Sequence, residues 1–245
     1  IQMQQLQQDN DAVLLAIGLW LGRGTRIPGA DHPHVYKAVD LLRRIRDGEQ
    51  LEAPKSMVVI GGGNVAMDIA RSVARLQKQQ HGEINVTLTA LEDKAHFLAD
   101  PVEIKESIEE EINIIDSRGP QECVSDDQGK LVGLRSWKVL SIFDDQHRFA
   151  PTYDESDEQL HPGEWIVEAI GQMSDVSLLG DALTEKLEWD RGRLQVDDDG
   201  HTSEPWLWAA GDCVKGPDIV SAVATGHSVA TSIEAMFEQK EAQNA

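Results

Sequence analysis

The chain has 245 residues, 40% of them hydrophobic, and a formal net charge of −21. That length can bury a core for one or two domains, while the charge disfavours nucleic acid and anionic membranes as partners. Two cysteines, Cys123 and Cys213, are too few and too far apart for a disulfide framework, an iron–sulfur cluster or a structural zinc in this chain; the expected setting is a reducing cytoplasm, and no apolar run nears the ~20 residues of a membrane span.

Ala12-Val13-Leu14-Leu15-Ala16-Ile17-Gly18 reads as a buried-type strand. Gly22, Gly24, Pro28 and Gly29 break the chain into loop, and Tyr36 to Arg46 carries helical spacing through Ala38, Leu41, Leu42 and Ile45. Ser56-Met57-Val58-Val59-Ile60 then launches Gly61-Gly62-Gly63-Asn64-Val65-Ala66, a strand, tight glycine turn and helix with Gly61-x-Gly63-x-x-Ala66 in register. Glycine removes the Cβ that would block a pyrophosphate, and the unpaired amides of a helix start favour the anion. The strand and amphipathic helix flanking the triplet make this a strong dinucleotide-site candidate, with an ordinary glycine-rich turn as the alternative.

The following helix repeats apolar residues at Val65, Ile69, Val73 and Leu76 and stops at Gly82. Ile84 to Leu91 is the next strand. Asp100-Pro101-Val102-Glu103 is a helix start, with Asp100 as cap and Glu103 able to complete a capping box, and Ile104 and Ile108 as the inner stripe. Ile112, Ile114 and Ile115 supply a third strand, so Met57 to Ile115 is β-α-β-α-β, one mononucleotide-binding half. Gln121 to Val124 and Leu131 to Leu140 flank a hairpin signal at Asp126 to Gly129. The acidic clusters Asp144-Asp145, Asp154 to Glu158 and Asp197 to Asp199 read as solvated loops. Trp165 to Gly171 is a strand that echoes the one ending at Gly18, as if the chain left and re-entered a neighbouring domain at these points. After a hairpin near Gly192, Trp206 to Asp212 forms a strand, and the last helix has apolar positions at Ile219, Val223, Val229, Ile233 and Met236.

Four ordered blocks, Ala16-Ile17-Gly18, Val59 to Asp68, Ala169-Ile170-Gly171-Gln172 and Ala209 to Asp218, resemble the glutamate synthase small-subunit family. These are flavoprotein oxidoreductases related to the pyridine nucleotide-disulfide oxidoreductases. The resemblance implies an α/β fold in which a Rossmann-like NAD(P)-binding domain, residues 53–164, is inserted in the rear part of a split FAD-binding domain, residues 1–52 and 165–245. It also implies that the first FAD fingerprint and an amino-terminal iron–sulfur region lie outside this chain, which would then be a carboxyl-terminal piece passing electrons onward to iron–sulfur centres or an electron-accepting subunit.

On this reading Gly61, Gly62, Gly63, Asn64, Val65 and Ala66 form the pyrophosphate turn of NAD(P)H. Asn64 either approaches the nicotinamide or simply shapes the turn. Glu92, at the tip of the second strand, can accept hydrogen bonds from the adenosine ribose and repel a 2′-phosphate, which favours NADH, although Lys94 and His96 could meet a phosphate. Gly171, Gly211 and Asp212 resemble the family's flavin-side residues, and Asp218, Ile219 and Val220 start a helix whose positive end would face the flavin; a plain strand-loop-helix with an Asp cap is the alternative for Asp212. Trp206 and Trp208 read as core, Asp68 and Arg71 as a local ion pair, and Cys213 as a single thiol beside Asp212. No acid–base dyad is expected, because hydride transfer between cofactors needs position and electrostatics. A short-chain dehydrogenase would need Tyr-x-x-x-Lys, but Tyr36 and Tyr153 are followed four residues on by Asp40 and Asp157. A dithiol reductase fails on cysteine count. A dinucleotide-binding module without turnover stays open.

Overall fold

The computed structural model describes residues 2–244. It falls into two compact units, Gly22–Gly171 and the pair Ile1–Leu21 with Gln172–Ala245. The boundaries expected at 52/53 and 164/165 are therefore corrected to 21/22 and 171/172. The reason is strand pairing: the segment at 165–168 pairs on one side with the 35–37 strand and on the other with the strand before the glycine turn.

In chain order, α1 (Met3–Asp9), β1 (Val13–Leu15) and the short β2 (Leu21–Gly22) precede β3 (Val35–Lys37) and α2 (Ala38–Arg46). Tyr36 thus lies in a strand, not in the helix expected from residue 36. The glycine motif follows as β4 (Met57–Ile60) and α3 (Asn64–His81), then β5 (Val86–Thr89), α4 (Pro101–Glu109) and β6 (Asn113–Ile115). With β10 (Trp165–Glu168) these build a five-stranded parallel sheet in the order β3-β10-β4-β5-β6. Every residue of β4 is buried, as a strand covered on both faces requires. Met57, Val59 and Val167 pack with Leu41, Ile69 and Val73 of the helices on one face; Val58, Ile60 and Ile166 pack with Cys123, Leu131 and Leu134 on the other.

The second face is covered by an antiparallel meander of β7 (Arg118–Ser125), β8 (Leu131–Phe143) and β9 (Phe149–Pro162). The hairpin at Asp126 to Gly129 is there, and Gly129 takes φ +78°. The Asp154–Glu158 cluster is corrected: it belongs to the 14-residue edge strand β9, not to a loop. Register shifts between β8 and β9 and the charged side chains are devices that protect an edge.

In the other unit, β1 pairs in parallel with β14 (Leu207–Ala209). The strand expected over Ala12 to Gly18 is only three residues long, and Leu14 is exposed, because it has a neighbour on one side only. The short β11 (Gln172–Met173), the one-turn helix α5 (Asp181–Thr184) and the hairpin β12 (Trp189–Asp190) with β13 (Arg193–Leu194) come between. α6 (Ile219–Asn244) closes the chain. Val229 on α6 is buried against Trp208 and Ala210, with Ile233 and Met236 packed beside it. Ile219 and Val223, expected on the same inner stripe, are exposed instead.

Candidate functional site

β4 ends at Ile60, and the chain must reverse into α3 within three residues. Gly61 does so at φ +138°, a backbone conformation that L side chains rarely adopt, and a Cβ there would strike the Ala169 carbonyl oxygen. Its amide is held by the Thr89 carbonyl at 2.8 Å. Gly62 is buried below Ala90 and the Glu92 carboxylate, which a Cβ would approach at 3.1 and 3.2 Å. At Gly63 a Cβ would meet nothing within 4 Å, so this side of the turn is open. Gly63 caps α3 without any side-chain hydrogen bond. Among the described residues, no acceptor meets the amides of Gly62, Gly63, Asn64 or Val65, whereas those of Ala66 and Met67 already bond the Gly63 carbonyl. Four free donors beside an unobstructed surface at the start of an 18-residue helix suit the paired phosphates of a dinucleotide. Ala66 is fully buried, the close helix–strand contact that the third position of the motif needs.

Asn64 is used locally. Its side-chain oxygen accepts the Asp100 amide at 2.7 Å, and Asp100 in turn caps α4 by accepting the Val102 amide at 2.8 Å. The cap is as expected, but the capping box is not formed. Glu103 turns to Arg71, which also reaches Glu106 at 2.6 Å and Glu110 at 3.0 Å. Arg71 therefore clamps α4 to α3 and does not pair with Asp68. Burial and the nearby Glu103 raise the Asp68 carboxyl above its ordinary range. Ile108, expected on the inner stripe of α4, is 60% exposed, and Ser107 is buried in its place.

Glu92 lies 31 residues after Gly61, and the length of α3 accounts for that span. The carboxylate still returns to the glycine turn, as the contact with Gly62 shows. His96 Nδ1 is taken by Asp93 Oδ1 at 2.8 Å. Gly171 follows Ala169 from the carboxyl end of β10, beside the carboxyl end of β4, so it shares a sheet edge with the glycine turn. The Ala169 amide bonds the Ile60 carbonyl at 2.8 Å, and the Gly171 carbonyl accepts the Arg23 amide at 3.0 Å.

The other unit carries the second group of expected residues. Gly211 takes φ +76°, and its amide bonds Thr225 Oγ1 on α6 at 2.9 Å. Asp212 Oδ1 is buried without a hydrogen-bond partner among the described residues, although the alternative reading makes Asp212 a cap. The actual helix cap is Asp218, whose carboxylate accepts the Ser221 amide at 2.6 Å and is held below its usual range by that contact. A Cβ on Gly216 would press on Asp212 Oδ1, so glycine keeps the space in front of that oxygen clear. Beside it, Ile219 and Val220 are 83% and 78% exposed. An unsatisfied buried carboxylate oxygen and a bare apolar helix start fit a ligand with hydroxyls and a flat apolar body. Trp208 is core, as expected. The Cys213 thiol donates to the Ala210 carbonyl, and burial raises its pKa, so it is an inert packing residue.

One group went unnoticed in the sequence. Glu168, the last residue of β10, has a fully buried side chain that pairs with Lys37 and accepts both the amide and the hydroxyl of Thr25 at 2.6 Å. The available signal was a lone acid within the apolar run Trp165 to Ile170, which requires a partner.

Residues 3–228 match the family described as pyridine nucleotide-disulphide oxidoreductase. The chain is 33% identical over 246 residues to the NADP(+)-dependent formate dehydrogenase subunit beta of Moorella thermoacetica, covering 98% of this chain and 33% of that protein. It is 31% identical over 240 residues to the NAD-dependent dihydropyrimidine dehydrogenase subunit PreT of Escherichia coli, covering 97% of this chain and 50% of that one. It thus spans half or less of these relatives. Mycobacterium tuberculosis FprA in complex with NADPH shares the fold with a TM-score of 0.74 at 19% identity, over 99% of this chain and 67% of that one.

Proposed function

This chain belongs to the pyridine nucleotide-disulphide oxidoreductase family, and from that premise we propose that it forms the nicotinamide-binding part, with a share of the flavin site, of an NAD(P)H-dependent flavin oxidoreductase resembling the glutamate synthase small subunit. The four free amides from Gly62 to Val65 carry this reading. They hold the pyrophosphate against the positive end of α3, while Gly61 allows the backbone reversal that presents them and Gly63 keeps a side chain out of its path. Glu92, lying over Gly62, accepts the adenosine ribose hydroxyls and repels a 2′-phosphate, so NADH is preferred. Asp212 Oδ1 would accept a hydrogen bond from a hydroxyl of the flavin, and the amino-terminal end of α6, with Asp218, Ile219 and Val220, would help to hold its ring. Gly171 keeps the carboxyl end of β10 free of a side chain.

The nicotinamide supplies a hydride and the flavin accepts it. The chain's residues set the position of each and exclude water; no side chain needs to move a proton. From the flavin, electrons would go on to iron–sulfur centres or a partner subunit, and the two buried thiols suit a reducing cytoplasm. Among the described residues no helix is long and apolar enough to cross a membrane.

Titration of the chain with NADH and with NADPH, followed calorimetrically, tests the assignment. NADH is expected to bind more tightly, and Glu92→Arg is expected to move the preference toward NADPH. Tighter binding of NADPH to the native chain would remove the role given to Glu92, and binding of neither would overturn the whole reading.

A further inference from the structure

The sheet order places a reversal between β4 and β10. From β4 the chain winds outward through α3, β5, α4 and β6, while β10 and β3 lie on the other side. Ligands of open parallel sheets sit outside the carboxyl ends of the strands at such a reversal. Glu92 follows β5, so the adenosine half lies on the β5 side and the second nucleotide crosses the tips of β10 and β3.

At those tips the register aligns Lys37, Glu168 and Ile60 side by side across three strands. Lys37 is therefore level with the last residue before the glycine turn and about 10 Å, two strand spacings, away from it. Its stem is partly buried, its side chain is 32% exposed, and it lines an open cleft with Gly24, Arg26 and Asp31. The ammonium has three donors. Among the described residues only one is taken, by Glu168 Oε2. Glu168 is fully buried and already accepts this bond and the two from Thr25, so it takes no ligand; it fixes the direction in which Lys37 points. A buried ion pair contributes little net stability compared with apolar side chains of the same volume.

We infer that Lys37 is a specificity-determining contact for the nicotinamide end of the dinucleotide, donating a hydrogen bond to the carboxamide oxygen, and that Glu168 is its positioning residue. The inference rests on the dinucleotide reading above and adds the site of the second nucleotide.

Calorimetric titration with NADH and with ADP-ribose, which lacks the nicotinamide, separates the two. In Lys37→Met, NADH affinity is expected to fall about tenfold, the loss of one charge-assisted hydrogen bond, while ADP-ribose affinity stays unchanged. Equal losses for both ligands would place Lys37 on the phosphates or ribose, and no loss for either would place it outside the site; each overturns the inference. Lys37→Met strands a buried carboxylate, so the double variant Lys37→Met with Glu168→Gln, which leaves no charge behind, is titrated in parallel and decides the matter if the single variant fails to fold. Failure of the native chain to bind NADH and ADP-ribose would instead remove the dinucleotide reading itself, a result distinct from the two above.

Discussion

Gly61 shows how much one residue can carry. Its positive φ and the Ala169 carbonyl beside its α-carbon leave no room for a methyl group. Gly61→Ala is expected to cost at least about 2 kcal/mol and to abolish NADH binding, read by urea unfolding and calorimetry. A second residue reports on pH. His161 is buried with its Nε2 2.7 Å from Ser136 Oγ, and burial, then the Arg118 guanidinium, pushes its pKa below the ordinary value. The native state therefore keeps the ring neutral while the unfolded chain takes up a proton near pH 6.5. The stability linked to His161 is complete above that pH and is lost as pH falls through it. The urea midpoint is expected to drop between pH 7.5 and pH 5.5, and by less in His161→Gln; equal drops would place the titrating group elsewhere. Residue-level reading of the sequence reached the glycine turn because its chemistry is local. It could not reach Lys37 and Glu168, 131 residues apart, because only strand pairing brings them together.

At the level of elements, α3 and α4 are joined by a charge cluster rather than by apolar contact alone. Arg71 has a 14% exposed side chain among Glu103, Glu106 and Glu110, and Arg75, ahead of Arg71, lowers the Glu110 pKa. Replacing Arg71 by Leu removes the partner of Glu103 and Glu106, while Glu110 keeps Arg75. The partly solvated pairs limit the cost to about 1 kcal/mol, and amide exchange in α4 is expected to quicken while that in β4 does not. The alternation and caps in the sequence located α3, β5, α4 and β6 because each of these buries one clear face. β9 was hidden for the opposite reason: it is a mostly exposed edge strand that carries Asp154, Glu155, Asp157 and Glu158, and its pairing with β8 supplies what its own composition does not. Ile108 misled in a third way, since helical spacing alone gives a stripe and not the face that meets the sheet.

On the scale of the whole molecule, the described residues include one Gly-x-Gly-x-x-Ala turn and, at Asp212, an orphaned carboxylate oxygen beside an exposed helix start. On the proposed reading the first is a complete anion cradle and the second is part of a site. The purified 245-residue chain is accordingly expected to be colourless and to gain thermal stability from NADH, roughly 2.7 kcal/mol at a hundredfold excess over Kd. Flavin absorbance that survives gel filtration would show the flavin site to be more nearly complete than this. The two-unit division was legible in outline from the repeated strand-to-glycine endings at Gly18 and Gly171. Its true borders were not, because β10 looks alike whether it pairs with β14 or with β4.

The hydrogen bond from the Arg23 amide to the Gly171 carbonyl brings the two ends of the Gly22–Gly171 unit together at a single point. A segment whose ends meet can be cut out of its host gene and expressed by itself, or given a short linker and reopened elsewhere as a circular permutant. Such a 150-residue excision would inherit the glycine turn, Glu92, Lys37 and Glu168 intact, and would offer a miniature nucleotide receptor to graft into other scaffolds.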